Sequence, residues 1–182
     1  MPFEILHFRD SEKILIKKRL ERDVQATLGY VSDALYGSLY RGELLRQALD
    51  EMGWRENGTL NILDGRRYTY KGFKKGVAID GNFSSYEYIL EGLLRLQLGF
   101  DKGKIDMGVL MLTGQRSEKS SYGTSAELAK AEMQMLYPTI SLPVAVALFD
   151  LGRPMVPEER GGEQNGLSVS ADGQQKAPVP QW

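Results

Sequence analysis

Asp80 and Asn82 are the residues whose types and spacing point first to chemistry. They close the apolar run Gly76-Val77-Ala78-Ile79 and are separated only by Gly81. In an extended strand successive side chains alternate between faces, so Asp80 and Asn82 are expected on one face with Gly81 on the other. A carboxylate beside an amide at the end of a buried strand can hold a hard cation or orient a water. Asp, Gly and Asn are also common turn formers, so the same three residues serve equally well as punctuation of a strand end. On these residues alone, punctuation is the simpler reading.

The elements that must position them follow from periodicity. Pro2 to Phe8 is expected to be a short strand, with His7 a packing or surface residue. Ser11 opens a helix through Ile14, Leu15, Leu20 and Val24 to about Leu28, its Lys17, Lys18, Arg19 and Arg22 forming a solvated basic face. Gly42 to Met52 is a second helix, stopped by Gly53. Arg66 to Lys71 has strand composition, and Gly72 to Gly76 turns it back into Val77 to Asn82 as a β-hairpin. Five cations, Arg66, Arg67, Lys71, Lys74 and Lys75, interleave there with Tyr68, Tyr70 and Phe73. Such a cluster suits phosphate contacts, although exposed hairpins also carry lysines merely for solubility.

Ser84 or Ser85 caps the next helix, whose Leu-rich surface ends at Gly99. Ile105 to Thr113 is a central strand. Gly114 to Thr124 is a polar loop long enough to suggest binding. Ser125 caps a helix over Ala126 to about Leu136, and Leu142 to Phe149 is a further buried strand. Together these give an α/β fold with a mixed central sheet flanked by helices, in one domain over 1–153. From Pro154 the composition turns to Gly, Glu, Gln, Ser and Pro, and 154–182 is expected to be a disordered tail.

Composition narrows the function classes. The 23 Lys and Arg nearly balance the 24 Asp and Glu, so nucleic-acid binding has to rely on local patches. With no cysteine, disulfides, thiolate catalysis and Cys-type zinc sites are excluded. The single His7 excludes a multi-histidine metal site within one chain. Neither a signal peptide nor an apolar run of membrane-spanning length is visible, so a soluble, cytoplasmic protein without a membrane partner is expected.

The order of elements and several short stretches resemble the BglII/BstYI-type restriction endonucleases, a branch of the PD-(D/E)XK nuclease fold. The likeness covers roughly Leu44 to Leu151. Trp54 with Asn57 is similar to that family's Trp followed by Asn near the active site. Asp80-Gly81-Asn82-Phe83-Ser84-Ser85-Tyr86 resembles its Glu-x-Gln-Phe-Ser-Asn-Tyr. Val109 to Gly114 resembles its apolar strand and following loop, and Leu142 to Val146 its closing Val-Pro strand.

The resemblance implies a divalent-metal-dependent DNA endonuclease of restriction type. Its cofactor would be Mg²⁺, its substrate double-stranded DNA, and its working form a homodimer. Asp80 would be the metal-binding carboxylate, with Asn82 placing water. The acid expected on the preceding strand falls near Lys71, in Tyr70-Lys71-Gly72, where there is none, and Asp64, earlier on the hairpin, could substitute as second ligand. Asn57 and the hairpin cations would support the phosphate, with Lys71 or Lys74 stabilising developing charge. Ser84 and Ser85 would face bases. Arg66, Arg67, Lys74 and Lys75, with Arg116, Lys119 and Tyr122 of the long loop, would contact DNA. Two alternatives stand beside this reading: a catalytically inactive relative that binds DNA or a protein partner, and an α/β protein unrelated to nucleic acid.

Overall fold

A computed structural model describes residues 3–83, 89–115 and 123–153. Its centre is three parallel strands, β3 (Val77–Gly81), β4 (Met107–Thr113) and β5 (Val144–Phe149), every residue of which is buried. That explains their near-continuous apolar composition, since strands covered on both faces have no solvent side to alternate with. An antiparallel strand lies at each edge, β1 (Phe3–Phe8) against β5 and β2 (Gly72–Lys74) against β3. The sheet order is β1-β5-β4-β3-β2, a mixed sheet as expected.

Helices cover both faces. α1 (Ser11–Lys18), α2 (Glu21–Leu35) and α3 (Arg41–Glu51) bury Leu15, Leu28, Leu35 and Leu49 with Val77, Ile79, Val109 and Phe149. α4 (Ile89–Asp101) and α5 (Ala126–Met135) bury Leu93, Leu96 and Met133 against Ala78, Leu110, Val146 and Leu148. Alternate residues of each central strand therefore serve opposite cores, which fixes register, because a slip by one residue would exchange the two sets.

The structure departs from the periodicity in two places. The helix expected from Ser11 to Leu28 is two helices. Arg19 adopts a left-handed φ of 56°, its N–H bonds Ile16 O, and the Leu20 N–H bonds Leu15 O at 3.0 Å. This is a Schellman closure, and it redirects the chain while keeping Leu15, Leu20 and Val24 in one core. The expected hairpin is shorter than its composition suggested. Lys75 (φ 48°) and Gly76 (φ 80°) form a two-residue turn of the kind that suits hairpin twist, yet only three residues pair on the β2 side. Arg66 and Arg67 lie outside it, in a separate loop closed by an Asn61–Thr69 bridge. The five cations are therefore not one hairpin face.

Candidate functional site

Asp80 lies where β3 ends, on the face covered by α4, and its side chain is wholly buried. A bare carboxylate there would be very costly, and the fold supplies its counter-charge from one side chain. Arg95, on the inner side of α4, reaches it with two nitrogens: Nε donates to Oδ2 at 2.7 Å and Nη2 to Oδ1 at 2.9 Å. The backbone N–H of Gly81 adds a third bond to Oδ1 at 2.7 Å. A side-on fork of this kind is the strongest geometry for an Arg–carboxylate pair. Arg95 also bonds Glu91, one helical turn away, so its guanidinium bridges two carboxylates. The hydrogen bonds to Asp80 raise the already high Arg95 pKa further.

Gly81 explains why the strand stops here. Its φ is 123°, and a Cβ at this position would sit 2.1 Å from the Met111 carbonyl oxygen. Only glycine fits. Because this φ leaves the extended region, face alternation does not carry past it. The expected sharing of one face by Asp80 and Asn82 gives way to a buried Asp80 and an exposed Asn82.

Tyr70 packs beside this pair. Its hydroxyl lies over Gly99 of α4, where a Cβ would come within 1.6 Å of it. Among the described residues the hydroxyl has no hydrogen-bond partner. Burial, and secondarily the Asp80 charge, push its pKa up to about 12.

The other residues expected at the site are scattered. Asp64 is almost fully exposed and pairs with Lys104 at 3.0 Å, beyond the C-terminus of α4, whereas Asp80 takes Arg95 in the middle of that helix. Each acid thus has its own cation, and the structure does not join them. Asn57 is exposed in the turn that follows Arg55. Lys71 does lie next to the strand end, its N–H bonded to Ile79 O at 2.9 Å.

Lys74 is turned inward. Its Nζ bonds Asp23 Oδ2 at 2.8 Å and Met52 O at 3.1 Å and lies 5.2 Å from the centre of the Trp54 ring. Its ammonium is therefore engaged within the fold. Trp54 is likewise core, fully buried with Nε1 donating to Thr27 Oγ1. Arg66, Arg67 and Lys75 are exposed. Ser84, Ser85, Arg116, Lys119 and Tyr122 lie outside the described residues.

The fit to Mg²⁺ can be tested on these contacts. That ion wants near-octahedral oxygen ligands and usually more than one carboxylate. Here both Asp80 oxygens are engaged by a guanidinium, a lysine stands where the second acid is expected, and Asp64 is elsewhere. Among the described residues no group of three potential ligands could hold a metal. The described residues do not fit the ion.

Sequence reasoning missed Arg95, whose helix was taken as core on its leucines. The signal was a lone arginine in the run Leu93-Leu94-Arg95-Leu96, four residues after Glu91. It also missed Arg46 and Arg55. With Lys71 they line a small cavity of about 160 Å³ between α3 and the chain entering β2.

No family model matches the sequence, and no curated protein matches it. Solved structures do. The crystal structure of restriction endonuclease BglII complexed with a DNA 16-mer matches at 13% identity with a TM-score of 0.59, over 82% of this chain and 78% of that one. Free BglII matches at 17% identity with a TM-score of 0.52, over 87% of this chain and 82% of that one. The likeness is one of fold: the chain has a BglII-type restriction endonuclease fold.

Proposed function

We propose that this chain is a DNA-binding protein built on the restriction endonuclease fold, with its strand-end carboxylate neutralised from within. The observation that carries this reading is the buried fork of Arg95 on Asp80. A guanidinium engaging both oxygens supplies the counter-charge that a metal would otherwise provide, and it is already in place in the folded state. The fold likeness to a nuclease recorded on DNA supports duplex as the ligand. The exposed cations Arg66, Arg67 and Lys75 are then candidates for backbone phosphate contacts. Binding of this kind needs no divalent ion and falls steeply with salt.

The second reading is the Mg²⁺-dependent endonuclease, a cytoplasmic homodimer that cuts both strands. It is favoured by the extent of the likeness, which takes in most of both chains. Exposed apolar side chains on the two helices of one face, Leu90 and Leu94 on α4 with Leu128 and Met135 on α5, offer a surface for a second copy. This reading requires Arg95 to leave Asp80 and a further acid to come from outside the described residues.

One assay separates the two. Wild type, Asp80→Ala and Asp64→Ala are incubated with plasmid and Mg²⁺ or Mn²⁺, alongside duplex binding in EDTA. Salt-dependent binding in EDTA with no nicking is the expected result. Nicking by wild type that vanishes in Asp80→Ala would overturn it in favour of the enzyme. Absence of both activities would leave an α/β protein unrelated to nucleic acid.

A further inference from the structure

The cavity beside α3 has a composition that its own fold does not need. Three cations, Arg46, Arg55 and Lys71, line it, and among the described residues no carboxylate does. No ion pair among the described residues involves any of the three. Elsewhere the described fold matches inward-turned cations with acids, Lys74 with Asp23 and Arg95 with Asp80. Arg46 is exposed and Arg55 and Lys71 are half-buried, so the three like charges face one another round a solvent-open cavity with a mutual repulsion that water only partly screens. An anion entering the cavity would relieve it.

The geometry also says what size of anion. The cavity is about 160 Å³, room for roughly five waters at 30 Å³ each. That admits a tetrahedral oxyanion together with bound waters. Leu45 and Leu49 of α3 supply an apolar wall, which lowers the local dielectric and strengthens charge-assisted bonds. Arg55 is held in place, its Nη1 donating to the Lys71 carbonyl at 2.6 Å. That bond uses one of five guanidinium donors and leaves the rest for a ligand. The side chains of Arg46 and Lys71 make no hydrogen bond among the described residues.

We infer that this acid-free pocket receives one phosphate group of a nucleic-acid backbone without a metal, Arg46, Arg55 and Lys71 supplying the positive charge. The inference rests on the DNA-binding reading for the source of the phosphate, and on the pocket alone for its chemistry. It assigns Lys71 to anion binding, at the place where an acidic metal ligand was expected.

The test is anisotropy of a labelled duplex in EDTA over a salt series, with wild type, Arg46→Ala, Lys71→Ala and the double variant. Lys17→Ala, an exposed cation on α1, is the control, and thermal melts confirm folding. A parallel arm measures the melting shift caused by inorganic phosphate at matched ionic strength.

The expected result is weaker duplex binding by about tenfold in the double variant, the size of one lost charge-assisted contact. The slope of log K against log salt should shrink by about 0.9 for that phosphate. Lys17→Ala should match wild type. Duplex binding by the double variant with wild-type affinity and slope would overturn the pocket while leaving the DNA-binding reading intact. If wild type binds no duplex but is stabilised by phosphate, and the double variant is not, the pocket chemistry holds and its nucleic-acid source is refuted. If neither ligand binds, both fall.

Discussion

Two regions flank the end of β3 and handle charge in opposite ways. Beneath α4, Asp80 is wholly buried and receives three hydrogen bonds, two of them from one guanidinium. Beside α3, Arg46, Arg55 and Lys71 line a cavity with no acid among the described residues. The first region is electrostatically closed, and its groups are committed to the fold. The second is open, and none of its three cations pairs with an acid among the described residues. A nuclease of metal-dependent type would need the reverse, with unpaired carboxylates at the strand end. Groups that a sequence comparison would place in one site are thus divided between a buried ion pair and a cation-lined cavity.

The contrast breaks most sharply at Arg95. Arg95→Ala strands a buried carboxylate, so urea denaturation should show a loss of about 3–5 kcal/mol. Arg95→Lys keeps a charge but not the fork and should lose less. A cost below about 1 kcal/mol for Arg95→Ala would mean that the α4 region is not closed. Lys74 and Lys71 sharpen the contrast from the other side. Lys74→Ala removes bonds to Asp23 and Met52 and the contact with Trp54. It should cost about 1–2 kcal/mol with duplex affinity unchanged. Lys71→Ala should do the opposite, weakening duplex binding at little cost in stability.

Tyr70 tests the boundary between the regions, since it lines the α3 cavity and feels the Asp80 charge. Its hydroxyl has no protein partner among the described residues, so Tyr70→Phe should shift stability at neutral pH by less than about 1 kcal/mol. The folded-state pKa of about 12 lies above the ordinary value of 10.0. The contribution of the neutral phenol is therefore fully present below pH 10 and lost as pH rises through 12. Melting curves across that window should fall more steeply for wild type than for Tyr70→Phe. The smallest effect is expected at Asp64. Its ion pair with Lys104 is solvent-exposed, and Asp64→Ala should change stability by less than about 0.5 kcal/mol.

Much of the fold was legible because burial writes itself into period. The runs at β4 and β5 are apolar on both faces and could only be central strands, and the helix over Ala126–Met135 is announced by its Ser125 cap, which accepts from the Leu128 N–H. The break at Arg19 was not legible. Its apolar spacing is helical on both sides, and the left-handed residue is an arginine rather than the glycine that usually marks such an end. The hairpin cations misled for a related reason: adjacency in sequence does not say which lysine finds an acid 51 residues away, as Lys74 does in Asp23.

By itself, then, the sequence determined a mixed α/β sheet, the strand that ends at Asp80, and the likeness to a nuclease fold. These depend on local periodicity and on the order of elements along one chain. Tertiary structure alone decided what Asp80 is for. Whether a carboxylate meets a metal, a water or an arginine depends on which helix crosses above it and which residue of that helix points down. Arg95 lies 15 residues further along the chain, and its place among leucines marks it as unusual without saying which carboxylate it meets.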